Sequence, residues 1–417
     1  MMKFLPDAFN SRQFTNYFTG NILSYHGVQI FIFAESWIVH ELNDAPEALG
    51  LLGLYASIPT LMFNLFGGAL ADRFSKKMIL SIAQLSFAFL CFYFAYLYGS
   101  GVMEYWHVYI IAAIASFTQA FDNPTRMAYW PSLLDKKHLS SGVVVDLFAW
   151  QGTRVSAPLI AGYLFAIFDG SIALFVSGIT MLMFVVILFT TNPLYKSEKL
   201  QKGNPFSDVL AGLKYIYNSR PILILLTMSF LVYLAGYSYI GMLPYITVQI
   251  FEVGSTETGL LLTGVGIGAV LPTVIFSKSG IPNRKLGVCI SLVCTGVLSI
   301  VFSLSPLIFQ SVPFAFALII LIGFSNSIYV IAVLSAIQIY VDDKFRARIV
   351  GIFVLSFSFM SLGSLWVGFL GALIDNVFSL EHVGVLIALS FGGLMLFIVG
   401  LGTVSYTHLT LPTIYSV

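Results

Sequence analysis

Long, continuously apolar stretches recur from one end of the sequence to the other, each about long enough to cross a lipid bilayer. A spanning helix needs about 20 apolar residues, and only helices or closed barrels satisfy every backbone hydrogen bond inside lipid. The stretches do not alternate between polar and apolar residues, which excludes a barrel. With 58% hydrophobic and 9% charged residues, the chain has too little polar surface for a water-soluble fold. The sequence therefore predicts an all-α membrane protein.

About twelve spans are predicted, arranged as two halves of six helices. The spans are 16–40, 48–70, 78–98, 107–129, 140–166, 172–190, 222–248, 257–277, 286–304, 313–340, 349–373 and 383–402. The polar linker 191–221 separates an N-terminal half, residues 1–190, from a C-terminal half, residues 222–402. Within the linker, Pro205 to Arg220 has the apolar spacing of an amphipathic helix, which we expect on the cytoplasmic face as a plain connector rather than a lipid sensor.

The 20 lysine and arginine residues are sorted to one side of these spans. Apart from Arg154, which lies inside the fifth span, they precede the first span, follow the even-numbered spans or lie in the linker, whereas the opposite loops carry acids such as Glu41 and Glu104. Cytoplasmic loops of membrane proteins are enriched in basic residues. We therefore expect a bacterial inner-membrane protein that is surrounded by lipids and has its N-terminus in the cytoplasm.

Two short segments suggest an internal repeat. The C-terminal tail is a separate matter and is not used to predict the fold. Ala157–Asp169 (APLIAGYLFAIFD) aligns without a gap with Gly363–Asp375 (GSLWVGFLGALID), so the fifth and eleventh spans are predicted to be equivalent helices. The tail 403–417 (TVSYTHLTLPTIYSV) resembles a translated sequencing adapter and is expected to be non-native.

The loop after the second span carries a family signature. The segment GALADRFSKK contains Gly68, Asp72, Arg73, Lys76 and Lys77 in the order of the Gly-x-x-x-Asp-Arg-x-Gly-Arg-Lys loop, and therefore resembles the major facilitator superfamily. The chain departs from that pattern in having serine for the second glycine and Lys76 for an arginine, which puts close helix approach at the serine in question.

Further segments narrow the resemblance. QAFDNPTR at 119–126, PSLL at 131–134 and RVSAP at 154–158 are similar to the enterobactin-exporter-like branch of that superfamily. The resemblance covers about residues 12–402. It implies a major facilitator fold, alternating access by rocking of the two halves, and export of small molecules such as siderophores or drugs.

Charged side chains within spans are costly, by at least about 2.5 kcal/mol each, and must be paired or functional. In the first span, Tyr17, Asn21, Ser24 and Glu35 share one helical face, which we expect to line a cavity. Glu35 is a candidate proton carrier or cation contact; the alternatives are an acid at the membrane interface or an ion-pair partner.

In the fourth span, Asp122 and Arg126 are four residues apart and able to pair along the helix. By the family resemblance, Asp122 would instead meet Arg73 or Lys76 of the loop motif and latch the outward-facing state; the alternative role for Asp122 is direct substrate binding. These residues are therefore predicted to form a gate, to which Asp146, near the cytoplasmic end of the fifth span, is added.

Arg154, deep in the fifth span, keeps its charge when buried and so requires a partner on another helix. Glu35 and a substrate anion are both available for that role. His26 and Gln29 share the first span; His26 is more often a packed residue than a proton relay, although a relay stays open. In the seventh span, Tyr237 is either an aromatic ligand contact or a packing residue.

These features predict a proton-coupled secondary transporter that exports a small organic molecule. No cofactor is expected besides the proton gradient, because the linker lacks a nucleotide-binding Gly-Lys motif, and a net charge of +1 gives no reason to expect nucleic acid. The three cysteines show no metal-binding spacing. The alternatives are uptake of a nutrient or lipid, a sensor that does not transport, and a membrane enzyme acting on lipids. The transporter is expected to act as a monomer.

Overall fold

The computed structural model describes residues 6–194, 205–276 and 280–410, without the side chains of residues 65–73, 205–210, 343, 344, 347 and 404–410. Every regular element in this part of the chain is helical, as the apolar pattern predicts. The α-helices are α1 (Arg12–Leu42), α2 (Pro46–Arg73), α3 (Lys76–Gly99), α4 (Tyr105–Tyr129), α5 (Leu139–Ile167), α6 (Gly170–Phe189), α7 (Pro205–Asn218), α8 (Arg220–Leu231), α9 (Ser238–Tyr245), α10 (Ser255–Ile275), α11 (Arg284–Leu304), α12 (Val312–Tyr340), α13 (Asp343–Leu355), α14 (Ser358–Phe378) and α15 (Gly384–Thr410).

Nine helical segments of the described residues are long and apolar enough to cross a membrane. They are Arg12–Leu42, Lys76–Gly99, Gly170–Phe189, Arg220–Ile250, Ser255–Ile275, Arg284–Leu307, Val312–Tyr340, Arg348–Phe378 and Gly384–Thr403. Three further predicted spans coincide with α2, α4 and α5, which have 28, 25 and 29 residues. The multi-pass helical character is therefore clear, and the count of twelve spans stays a prediction.

The chain packs as two compact units. Unit 1 contains Met1–Asn43 with Tyr55–Pro205, and unit 2 contains Asp44–Leu54 with Phe206–Val417. Helix α2 therefore contributes its first turns to unit 2 and the rest of its length to unit 1. The domain boundaries expected from the linker, at residues 190 and 221, stay predictions, as does the foreign origin of residues 403–417, of which 411–417 lie outside the described residues.

In unit 1, α1 packs against α5 and α6, and α3 packs against α4 and α6. Small residues let these helices approach closely, since a methyl group at Gly27 of α1 would overlap the side chains of Thr180 and Met181 of α6. Likewise, Gly178 of α6 faces the ring of Phe92 of α3. Helix α6 therefore packs against both α1 and α3 and positions them relative to each other.

Glycines also set the closest helix contacts of unit 2. A methyl group at Gly268 of α10 would overlap the backbone of α12 at Ile320, and one at Gly296 of α11 would overlap the backbone of α15 at Gly393. Backbone contact between membrane helices is possible only where side chains are absent. The pairs α10–α12 and α11–α15 therefore form the framework of this unit.

The two aspartates that end the aligned repeat segments perform the same local task. Asp169 caps α6, where its carboxylate accepts a hydrogen bond from the backbone N–H of Ser171 at 3.0 Å. Asp375 accepts one from the backbone N–H of Gly384, the first residue of α15, at 2.7 Å. Each aspartate thus satisfies a free N–H at the start of the following helix.

The predicted seventh span, 222–248, is not one continuous α-helix. Between α8 and α9 lies a π-helical turn, Val232–Gly236, and a second one follows at Ile246–Ile250. Side chains of other helices bind the carbonyl oxygens that such a turn exposes: Trp366 Nε1 donates to Leu234 at 3.0 Å, and Asn326 Nδ2 donates to Gly236 at 3.3 Å. Side-chain donors from α12 and α14 therefore stabilise the interruption between α8 and α9.

Candidate functional site

A closed ring of hydrogen bonds lies in the interior of unit 1. Arg126 Nη2 donates to Ser24 Oγ at 3.1 Å, and Ser24 donates to Gln84 Oε1 at 2.9 Å. Gln84 Nε2 then donates to Asp122 Oδ1 at 2.9 Å. Asp122 Oδ2 closes the ring by accepting from Arg126 Nη2 at 2.7 Å and from Nε at 3.0 Å. The ring joins α1, α3 and α4, and every member is buried.

A branch from the ring reaches α5. Arg126 Nη1 donates to Asn21 Oδ1, and Asn21 Nδ2 donates to Asp146 Oδ1 at 3.2 Å. Asp146 is half-buried, whereas Arg126 is only 2% exposed. One guanidinium and two carboxyl groups, bridged by neutral amides, therefore hold four helices of unit 1 together.

Aromatic rings enclose the guanidinium of Arg126. The centroids of the Tyr25 and Phe184 rings lie 4.9 Å and 4.7 Å from its central carbon. Both distances suit cation–π attraction, which is strongest where water is excluded. The charge of Arg126 is therefore compensated by Asp122, by two uncharged acceptors and by two ring faces, and the side chain is unsuited to binding a further ligand.

The spacing of the sequence explains how the ring forms. Asn21 and Ser24 are three residues apart on α1, and Asp122 and Arg126 are four apart on α4, so each pair points to one side of its helix. Tyr17, Asn21 and Ser24, three of the four residues predicted to share this face of α1, are buried in unit 1. The guanidinium of Arg126 donates hydrogen bonds to Asn21, Ser24 and Asp122, so these three acceptors lie together in the interior of unit 1.

Glu35 lies apart from this network. Its side chain is only 8% exposed, and it forms no hydrogen bond or ion pair with any residue that the structure describes. Glu35 and Arg154 are therefore not an ion pair, which removes one of the two partners considered for Arg154.

His26, Gln29 and Arg154 are half-buried on α1 and α5. The ring of His26 bridges the two helices, with Nδ1 2.9 Å from the carbonyl oxygen of Ile22 and Nε2 2.9 Å from Ser156 Oγ. Gln29 and Arg154 form no hydrogen bond or ion pair within the described part of the chain. His26 thus has the packed, hydrogen-bonded setting expected of a histidine in a span.

The loop motif is described only in part. The side chains of Gly68, Asp72 and Arg73 lie outside the described residues, so the expected contact between Asp122 and Arg73 stays a prediction. Lys76 is half-buried. Lys77 Nζ donates to the carbonyl oxygens of Phe189 at 3.1 Å and Thr191 at 2.8 Å, which caps the C-terminal end of α6.

Ser75, the serine that replaces the family glycine, is the N-cap of α3, and its Oγ accepts from the backbone N–H of Met78 at 3.4 Å. Its φ of −60° requires no glycine. The departure from the family pattern is therefore compatible with the turn. The close helix approach that glycine usually permits is not needed at this exposed position.

In unit 2, Tyr237 is 8% exposed and stacks on Tyr233 with ring centroids 5.0 Å apart. Both tyrosines belong to the apolar core of that unit. Packing explains this position without a ligand, and a ligand contact for Tyr237 stays a prediction.

Gln84 and Tyr25 are site residues that sequence reasoning missed. Gln84 is an uncharged amide inside a strongly apolar span, and such a residue indicates a buried polar partner just as a charged residue does. Tyr25 carries no such signal, because a tyrosine in a span is common.

Two negative observations bound the chemistry of the site. Among the described residues, no three histidine, cysteine, aspartate or glutamate side chains are placed to hold a metal ion. A cavity of about 750 Å³ lies between α3 and α4, but its walls, which include Phe89, Tyr93, Trp106 and Ile110, are mostly apolar and contain none of the candidate polar residues.

The fold is shared with known transporters. The structure of a bacterial homologue of the lysosomal transporter Spinster, in an inward-facing and occupied conformation, matches 97% of this chain and 98% of its own with a TM-score of 0.73 at 13% identity. The structure of the nucleoside transporter NupG matches 94% of this chain and 100% of its own with a TM-score of 0.75 at 13% identity. The helical architecture of this chain is therefore shared with these two structures.

The sequence profile of the transmembrane secretion effector family matches residues 6–410, and the chain belongs to this family of the major facilitator superfamily. It is 23% identical over 361 residues to the staphyloferrin A transporter of Staphylococcus aureus, covering 84% of this chain and 87% of that protein. It is 24% identical over 176 residues to the MFS-type transporter YfiS of Bacillus subtilis, covering 42% and 40%. The prediction of a transporter rather than an enzyme is thus confirmed.

Proposed function

We propose that this protein exports a small organic molecule, of siderophore or drug type, across the bacterial inner membrane in exchange for protons. Family membership supports transport of a small molecule. The similarity to a staphyloferrin A transporter agrees with the cargo class that the sequence predicts. In this proposal the N-terminus is cytoplasmic, the protein works as a monomer among lipids, and the proton gradient is its energy source.

The observation that carries proton coupling is the setting of Glu35. A carboxylate without a partner in the membrane interior is costly, and the neutral acid is much less so. Glu35 has no hydrogen-bond or ion-pair partner among the described residues and is nearly buried. A change in its access to water would therefore bind or release a proton, which is the property required of a coupling group.

In this proposal, the hydrogen-bonded ring around Arg126 would keep unit 1 rigid during alternating access. Because α1, α3, α4 and α5 share this one network, we infer that they move as a single body during transport. Asp122, Arg126 and Asp146 would then act as structural and gating residues, together with Gly68, Asp72, Arg73, Lys76 and Lys77 of the loop.

The coupling proposal is tested first by finding the cargo. Culture media of an efflux-deficient host with and without the protein are compared for exported compounds. Everted vesicles then measure uptake of the identified compound with and without an imposed pH gradient, which also gives the direction of transport. Compound movement into cells would indicate uptake, and binding without movement would indicate a sensor.

The role of Glu35 is tested by Glu35→Gln. We expect uptake by everted vesicles to lose its dependence on the pH gradient, while the yield of folded protein stays the same. Glu41→Gln is the matched control, because Glu41 lies on the same helix but is exposed and bound to Tyr98 OH at 2.7 Å. If Glu35→Gln keeps the gradient dependence of the wild type, Glu35 is a structural acid.

A further inference from the structure

The interior of unit 1 contains two arginines, and only one of them has its charge compensated. Arg126 contacts Asp122, Asn21 and Ser24, whereas Arg154 forms no hydrogen bond or ion pair with any described residue. The carboxyl groups of the spans are not available to it in this structure. Asp122 is hydrogen-bonded to Arg126, and Asp146 is hydrogen-bonded to Asn21. Glu35 forms no ion pair with Arg154.

Helices α1 and α5 pack side by side, and their side-chain contacts join residues that are 125–132 positions apart in the sequence. Asn21 contacts Asp146 and Tyr25 contacts Trp150, and the two members of each pair are 125 residues apart in the sequence. The same separation relates Gln29 to Arg154, the next position along both helices. Gln29 and Arg154 each lie one helical turn beyond the contact of Tyr25 with Trp150, on two helices that pack against each other.

Both side chains are half-buried, and neither has a hydrogen-bond partner among the described residues. Arginine cannot shed its proton, so its charge in a span must be balanced by water or by an anion. A guanidinium forms paired hydrogen bonds with carboxylate and similar oxyanions, and an amide N–H adds a further donor. This pair of residues has the chemistry of an oxyanion site.

We propose that Arg154 and Gln29 bind a carboxylate or comparable oxyanion of the transported molecule, so that the cargo is an anion. This inference rests on the proposed transport function and adds the charge of the cargo to it. Arg154 supplies the charge and the paired donors, and Gln29 supplies an uncharged donor from α1.

The site is tested independently of the cargo by fluorescence quenching. Full-length protein in nanodiscs of zwitterionic lipid is titrated with iodide and, separately, with neutral acrylamide. The contribution of Trp150, one turn from Arg154, is obtained by subtracting the signal of Trp150→Phe. We expect Arg154→Gln to reduce iodide quenching of Trp150 about 2–3-fold, because an anion a few ångströms from a half-exposed charge gains that much, and to leave acrylamide quenching unchanged.

Arg154→Lys should keep most of the iodide quenching, and Lys214→Gln, which removes an exposed charge elsewhere, should have no effect. Unchanged iodide quenching in Arg154→Gln would overturn the proposal. An equal fall in acrylamide quenching would also overturn it, because that result indicates altered packing rather than lost anion attraction.

The cargo itself separates this inference from the proposed function. If no compound is exported, the transport proposal fails whatever the quenching shows. If the exported compounds are neutral or cationic, transport stands and the oxyanion site is wrong. With an anionic cargo, we expect Arg154→Gln to lower transport at least about 10-fold, Gln29→Ala to lower it less, and Arg154→Lys to retain part of it.

Discussion

Replacing Asp122 by asparagine removes one negative charge from the buried ring and almost no volume. The carboxylate accepts two hydrogen bonds from Arg126 and one from Gln84. A hydrogen bond to a charged group contributes about 1.5–3 kcal/mol, so the two arginine contacts together contribute about 3–6 kcal/mol. Removing one partner of a buried ion pair costs about 3–5 kcal/mol by comparison with other proteins. We therefore expect Asp122→Asn to lower the free energy of unfolding by about 3–5 kcal/mol.

Equilibrium unfolding by sodium dodecyl sulfate in mixed micelles, followed by circular dichroism, measures this loss. The double variant Asp122→Asn/Arg126→Gln should recover to within about 2 kcal/mol of the wild type, because no charge is then left without a partner. Asp169→Asn is the matched control and should cost less than about 0.5 kcal/mol, since asparagine and aspartate cap helices equally well. A loss below about 1 kcal/mol for Asp122→Asn, or a double variant no better than the sum of the single ones, would refute the reasoning.

Three further changes test the packing around the site. Lys77→Met should lower the free energy of unfolding by about 0.3–1 kcal/mol, with Lys77→Arg close to the wild type, because the end of α6 loses its cationic cap; equal losses for both variants would contradict this. Gly268→Leu should lower the free energy of unfolding by at least about 1–3 kcal/mol, because the larger side chain forces α10 away from α12. Gly351 has open space around it, so Gly351→Ala should raise the free energy of unfolding by about 0.5–1 kcal/mol. Trp366→Phe should lower the free energy of unfolding by about 0.5–1.5 kcal/mol and speed hydrogen exchange in the π-helical turn Val232–Gly236. Unchanged exchange in that turn would mean that the indole does not stabilise it.

Much of the fold follows from the sequence because the solvent imposes it. In lipid, each segment must satisfy its own backbone hydrogen bonds, so an apolar run of sufficient length predicts a helix with little help from tertiary contacts. The bounds of α3, predicted as 78–98 and found as Lys76–Gly99, illustrate this. The predicted span 349–373 lies within the candidate span Arg348–Phe378, but the sequence does not reveal that the helix is interrupted there, where α13 ends at Leu355 and α14 begins at Ser358. The break falls at Ser356 and Phe357, which do not stand out within the apolar run.

The candidate site was less predictable than the fold. The sequence marked the charged side chains of the spans as groups that must be either paired or functional, since each of them is costly in lipid wherever it lies. It also offered the pair of Asp122 and Arg126, because a spacing of four residues is a local property of a helix. It gave no means to choose between Glu35 and a ligand as the partner of Arg154.

The sequence by itself therefore determined that this protein lies in lipid, that its segments are helical and which charged side chains lie within its spans. The tertiary structure decided which charges meet, because that depends on helix register and rotation, which small residues such as Gly27 set through side-chain overlap. Register brought Gln84 into the ring with Arg126 and left Glu35 and Arg154 without partners among the described residues. Those two unsatisfied groups could be recognised only after every other contact was in place.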